Sequence, residues 1–192
     1  YVTVMRRYGT TEALLTVASE DMRRLRLLAK WLRGTGRPAE AIAVFEKILS
    51  IDADDVSTIR MLAHVSMERG DLAKARSILS RLRLIAPDRE ADLLEIQFEI
   101  RNQSLRQAAA RIDGIPVKDT AVDHLEFLLA ESLLDANEIA LLRPRLAALE
   151  ARLSQDRALM ARIHDIRARL EQRAGNEHQY RWEIEQRDIL RR

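Results

Sequence analysis

Residues 56–89 read VSTIRMLAHVSMERGDLAKARSILSRLRLIAPDR, and this stretch decides the fold. Moved back by 34 residues it lies over residues 22–55. Leu62 then falls on Leu28, Ala63 on Ala29, Gly70 on Gly36, Ala75 on Ala41 and Ile85 on Ile51. A small residue, a glycine and a later alanine at fixed places in a 34-residue period describe one helix–turn–helix unit repeated. The glycines supply backbone angles that close a tight turn, and the alanines let two helices cross closely.

Outward from these two units the pattern weakens. In 90–116, Ile96, Gln97, Ser104 and Ala109 occupy the corresponding places, with Asp113 where a large apolar residue is expected. The short helix after Ser104 should end at Gly114-Ile115-Pro116. Residues 117–192 show helix pairs without the repeat's marker residues. Asp119 or Thr120 caps a helix to Leu134, and its partner runs from near Asn137 to Leu153 with Pro144 inside it. Two charged helices follow over 156–174 and 177–190, separated at Gly175-Asn176. Residues 1–21 read as a lead-in with a short helix over 12–18. Ser19 reads as the N-cap of the first long helix, with Glu20 and Asp21 in its first turn.

Composition bounds the function. Apolar residues make up 47%, charged residues 32% and aromatics only 4% of 192 residues, which suits packed helices rather than sheet or disorder. No stretch reaches the roughly 20 apolar residues of a bilayer span. The absence of cysteine excludes thiolate metal sites and thiol nucleophiles. The four histidines (His64, His124, His164 and His178) never pair at helical spacing, so they suggest no metal site. No phosphate loop, nucleophile elbow or metalloprotease motif occurs. The reading is therefore non-catalytic, with no cofactor and no metal. Charge is uneven: residues 1–37 carry +5, 38–142 carry −7 and 143–192 carry +4. The basic ends permit nucleic acid, but the acidic middle and scarce aromatics argue against it.

The two clear units resemble the tetratricopeptide-repeat family. Its pattern falls on Leu25, Leu28, Ala29, Leu32, Ala41, Phe45 and Ala53. It falls again on Ile59, Leu62, Ala63, Ser66, Ala75, Leu79 and Pro87. Leu25 and Ile59 stand where the family has Trp, and Ala53 where it has Pro. The resemblance implies an all-α, right-handed superhelical solenoid of antiparallel helix pairs. It implies a protein-interaction scaffold or adaptor whose first helices line a concave groove. By position that groove is lined by Arg23, Arg26, Lys30, Arg33, Arg60, His64, Met67, Leu94, Phe98 and Arg101. Such a lining suits an acidic, partly apolar protein or peptide. Lys30 and Met61 replace asparagines of the family's carboxylate clamp, which sets that binding mode aside.

Arg outnumbers Lys by 28 to four, which suggests a bacterial source. Basic residues near Tyr1 suit the cytoplasmic face of an inner membrane, with an anchor outside this sequence. That setting is similar to membrane-anchored repeat subunits of bacterial envelope machines, including Pel-like exopolysaccharide-secretion components. A periplasmic export factor and a nucleic-acid-binding regulator are the competing readings. The terminal helices, with Trp182, Ile184 and Ile189, are available for docking or self-association.

Overall fold

The structure, a computed structural model, describes residues 21–192. The expected lead-in, its short helix and the Ser19 cap lie outside the described residues. The chain divides between Asn102 and Gln103 into two compact units, each all-helical over its described residues.

Unit 1 contains α1 (Met22–Gly34), α2 (Pro38–Ile51), α3 (Val56–Glu68), α4 (Leu72–Ile85) and α5 (Arg89–Arg101). Helices α1 and α2 pair, as do α3 and α4; α2 then packs on α3, and α5 on both α3 and α4. This is the solenoid arrangement, in which each hairpin covers the apolar side its neighbour leaves open. The repeated positions are the core. Leu28, Ala29, Ala41, Phe45, Leu62, Ala63, Ala75 and Leu79 are all buried. Ala41, Ala63 and Ala75 have no exposed surface, as close helix crossings require. Each large aliphatic residue so buried contributes about 1.5–3 kcal/mol. Trp31 is half-buried against this cluster, with the Arg37 guanidinium 5.5 Å from its ring centre.

Unit 2 contains α6 (Leu105–Asp113), α7 (Thr120–Asp135), α8 (Ile139–Leu153), α9 (Arg157–Arg173) and α10 (Glu177–Arg191). The pairing rule repeats: α6 lies on α7, α7 pairs with α8, α9 packs on both, and α10 closes on α9. Phe127, Leu129, Leu133, Leu134, Ile163 and Ile166 form its buried side. Pro144 sits exposed in the middle of α8, which continues through it.

Two local devices set the period. Gly36 and Gly70 adopt φ of +73° and +75°, and the left-handed position recurs at Gln103 (+60°), Asn137 (+59°) and Gly175 (+71°). The third turn is thus centred on Gln103 rather than Ser104, one residue earlier than a strict 34-residue period. At Gly36, Gly70, Asn137 and Gly175 the next residue's amide bonds back to a carbonyl five residues earlier at 2.9 Å, the closing bond of a Schellman turn. The second device is an aspartate N-cap. Asp21, Asp55, Asp88, Asp119 and Asp156 precede α1, α3, α5, α7 and α9, and each carboxylate accepts from amides of the first turn. Helix α1 accordingly starts at Met22 behind Asp21. Such a cap is worth about 1 kcal/mol.

Candidate partner-binding face

The ten residues assigned to the groove all belong to unit 1, on α1, α3 and α5. Their surroundings sort them into three kinds. The first holds neighbouring repeats together. Arg26 Nη2 donates to Asp55 Oδ2 at 2.8 Å, so a cation on α1 grips the cap of α3. One repeat later, Arg60 grips the cap of α5 through Asp88 and also reaches Glu90 at 2.8 Å. Burial raises the Asp55 carboxyl, but hydrogen bonds from Arg26 and Thr58, with the guanidinium charge, more than offset it. They hold Asp55 below the ordinary carboxylate value.

The second kind faces inward. Met67 is 1% exposed, so it fills the core and cannot line a groove. Leu94 and Phe98 pack against Ile59, Ala63, Leu79, Leu82 and Ala91. The Arg76 guanidinium of α4 lies 5.5 Å from the Phe98 ring centre, so that ring is turned toward the second-helix side. The apolar far wall expected from Met67, Leu94 and Phe98 is thus part of the packing between hairpins. For Leu94 and Phe98 the reason is periodic: the caps of α3 and α5 stand 33 residues apart rather than 34, which shifts α5 against a strict repeat, whereas Met67 lies on α3 before that shift.

The third kind is open. Arg23, Lys30, Arg33 and Arg101 are exposed, and His64 is half-buried with Nδ1 3.2 Å from Glu68, without the alignment of a hydrogen bond. Arg33 Nη1 reaches only the Met61 sulfur, at 3.4 Å. Arg23 and Lys30 make no ion pair with a described residue. Between them lies Leu27, 50% exposed, one turn from each and on the same helix face. Leu27 escaped the family alignment because the pattern assigns that place no role. A stripe of cation, aliphatic residue and cation therefore remains on α1 once the pairs between repeats are subtracted.

A family model for the tetratricopeptide repeat matches residues 32–97, from the end of α1 into α5. That stretch carries tetratricopeptide repeats. It holds two turns of the period and stops where the turn residue changes from Gly to Gln. No curated protein matches the chain. Tetratricopeptide repeats generally mediate protein–protein interaction. Among the described residues no group of acidic residues and histidines is arranged to hold a metal ion. No described helix is long and apolar enough to cross a membrane.

Proposed function

We propose that this chain is a non-catalytic adaptor that captures an acidic, partly apolar protein segment on the first-helix face of unit 1. The observation that carries it is the α1 stripe of Arg23, Leu27 and Lys30, whose two cations have no carboxylate partner among the described residues. A partner helix with an aliphatic residue flanked by Glu or Asp would cover Leu27 and meet both cations. Because the cations are solvated, their role is steering and register, and the affinity should fall with salt. Arg26 and Arg60 act differently, as positioning residues that fix α1, α3 and α5 against one another.

The proposed setting is a bacterial membrane-associated assembly at the cytoplasmic face of the inner membrane, of the exopolysaccharide-secretion kind. Arginine-rich usage and the +5 charge of residues 1–37 support it. The test of the adaptor reading is selection from a displayed random-peptide library with the full chain as bait. Selected peptides should be enriched in Glu and Asp beside Leu or Ile. Arg23→Glu with Lys30→Glu should weaken them about tenfold or more, while circular dichroism stays helical. Enrichment indifferent to acidic residues, or binding untouched by the double reversal, sinks the reading.

A further inference from the structure

Helix α6 has nine residues, whereas its counterparts α2 and α4 have 14 each and α8 has 15. The five residues it lacks correspond to about 7.5 Å of helix. Where they would have lain, unit 2 has an open notch of about 530 Å³, walled by Leu141, Pro144, Ala148 and Leu149 of α8. Its charged floor is already paired. Arg145 donates to Glu126 at 2.9 Å, to Asp113 at 2.8 Å and to the Ala109 carbonyl at 3.0 Å, and Arg152 pairs with Asp123. The exception is Lys118, whose ammonium donates to the Ile112 carbonyl and has no carboxylate partner among the described residues. The notch thus takes an apolar helix face carrying one acid.

Helix α10 of the same chain presents such a face. Trp182 is 42% exposed and Ile189 51% exposed, with Glu185 between them on the same side. Other acids of α9 and α10 are paired: Glu171 with Arg143, Glu177 with Arg181, Glu183 with His164, and Asp165 and Asp188 with Arg187. Glu185 makes no ion pair with a described residue. The stripe from Trp182 to Ile189 spans about 10.5 Å, against about 12 Å from Leu141 to Leu149 along the wall. Helix α10 cannot swing into its own notch. The His164–Glu183 contact at 2.6 Å and the Arg187–Asp165 pair at 3.0 Å fix it on α9.

We propose that the notch between α6 and α8 receives α10 of a second copy of this chain, with Trp182 and Ile189 in the notch and Glu185 at Lys118. Donor and acceptor are different surfaces and each copy carries both, so two copies can seat each other's α10 reciprocally or further copies can add head-to-tail. Tryptophan in a desolvated pocket is the side chain expected to dominate such a contact.

Sedimentation velocity and light scattering of the full chain from about 1 to 300 µM test it. The wild-type mass should rise with concentration to a dimer or beyond. Trp182→Ala on the donor and Ala148→Arg on the acceptor should each weaken association about tenfold or more. Mixed together, these two variants still hold one intact notch and one intact stripe, so they should form a one-to-one pair. Ile189→Asp serves as a second donor variant, since Trp182 also touches the His164 ring, and circular dichroism checks that all variants stay folded. Lys118→Glu should weaken the wild-type contact, and Glu185→Lys on the other copy should restore it. A wild-type chain monomeric throughout, association untouched by Trp182→Ala and Ala148→Arg, or mixed variants that fail to pair would each overturn the proposal.

Discussion

In unit 1 the turns between paired helices are glycines at φ +73° and +75°, and alanines without exposed surface lie at the crossings. In unit 2 the corresponding turn between α7 and α8 is Asn137 at +59°, and arginines bind the helices to one another. The carboxylates gripped by Arg145, Arg152 and Arg143 (Glu126, Asp123 and Glu171) are only 10–12% exposed, and His164 holds Glu183 at 5%. In unit 1 the Lys74–Glu46 pair is more open, while the buried Asp55 is gripped by an Arg26 that is itself 53% exposed. One backbone plan is thus realised twice: unit 2 keeps a left-handed glycine at Gly175 and unexposed alanines at Ala108 and Ala130, and adds buried charge to them. Steric fit leaves a sequence signature because only Gly and Ala satisfy it. Buried charge leaves a weaker one, since many placements of Arg and Glu join the same helices.

The largest expected contrast comes from removing one carboxylate in each unit. Glu126→Ala takes the buried carboxylate from the Arg145 guanidinium, itself 11% exposed, and leaves it Asp113 and the Ala109 carbonyl, so it should destabilise unit 2 by about 1.5–3 kcal/mol. Glu46→Ala removes an exposed partner of Lys74 and should cost unit 1 no more than about 1 kcal/mol. Hydrogen exchange resolved by peptide reads each unit separately. Equal losses in the two units would show that the division into steric and ionic construction is wrong.

A smaller contrast lies in the turns. Gly70→Ala puts a side chain at φ +75° and should cost about 1–2 kcal/mol, even though nothing lies within 4 Å of the added carbon. The cost is backbone strain alone. Asn137→Gly goes the other way, relieving a non-glycine left-handed residue, and should be neutral or stabilising by up to about 1 kcal/mol. Chemical denaturation of both variants checks the signs. A destabilised Asn137→Gly would mean that the asparagine side chain contributes more than its backbone costs.

What was legible in the sequence follows the same division. Gly36, Gly70, Ala29, Ala41, Ala63 and Ala75 announced unit 1, and the family match over 32–97 covers all of them but Ala29. The third turn was misplaced by one residue because Gln103 does a glycine's work and the period shortens to 33. That single residue also misdirected Leu94 and Phe98 toward a groove. The aspartates at 21, 55, 88, 119 and 156 were present throughout as a second periodic signal. Read together, they would have placed α1, α3, α5, α7 and α9, and would have exposed Arg26 and Arg60 as grips on the next cap. Buried pairs such as His164–Glu183 had no such signal. Nineteen residues separate the partners, and no local pattern marks them.

The smallest effect isolates the grip between repeats in unit 1. Asp55 is held below its ordinary value, so the folded state binds its proton less readily than the unfolded chain does. The stability this adds is fully present above the ordinary Asp value, about 3.9, and is lost as pH falls through the lowered folded value. Asp55→Asn keeps a side-chain acceptor for the α3 cap but loses the charge that Arg26 meets. It should cost no more than about 1 kcal/mol at neutral pH, because Arg26 is 53% exposed and solvent screens the pair. The difference between wild type and variant should shrink as the solution is acidified below the ordinary value. Denaturant melts of both proteins at neutral and acidic pH measure it. A difference that stays constant would assign Asp55 a capping role only and leave the stacking of α1 on α3 to Leu28, Leu62 and their apolar neighbours.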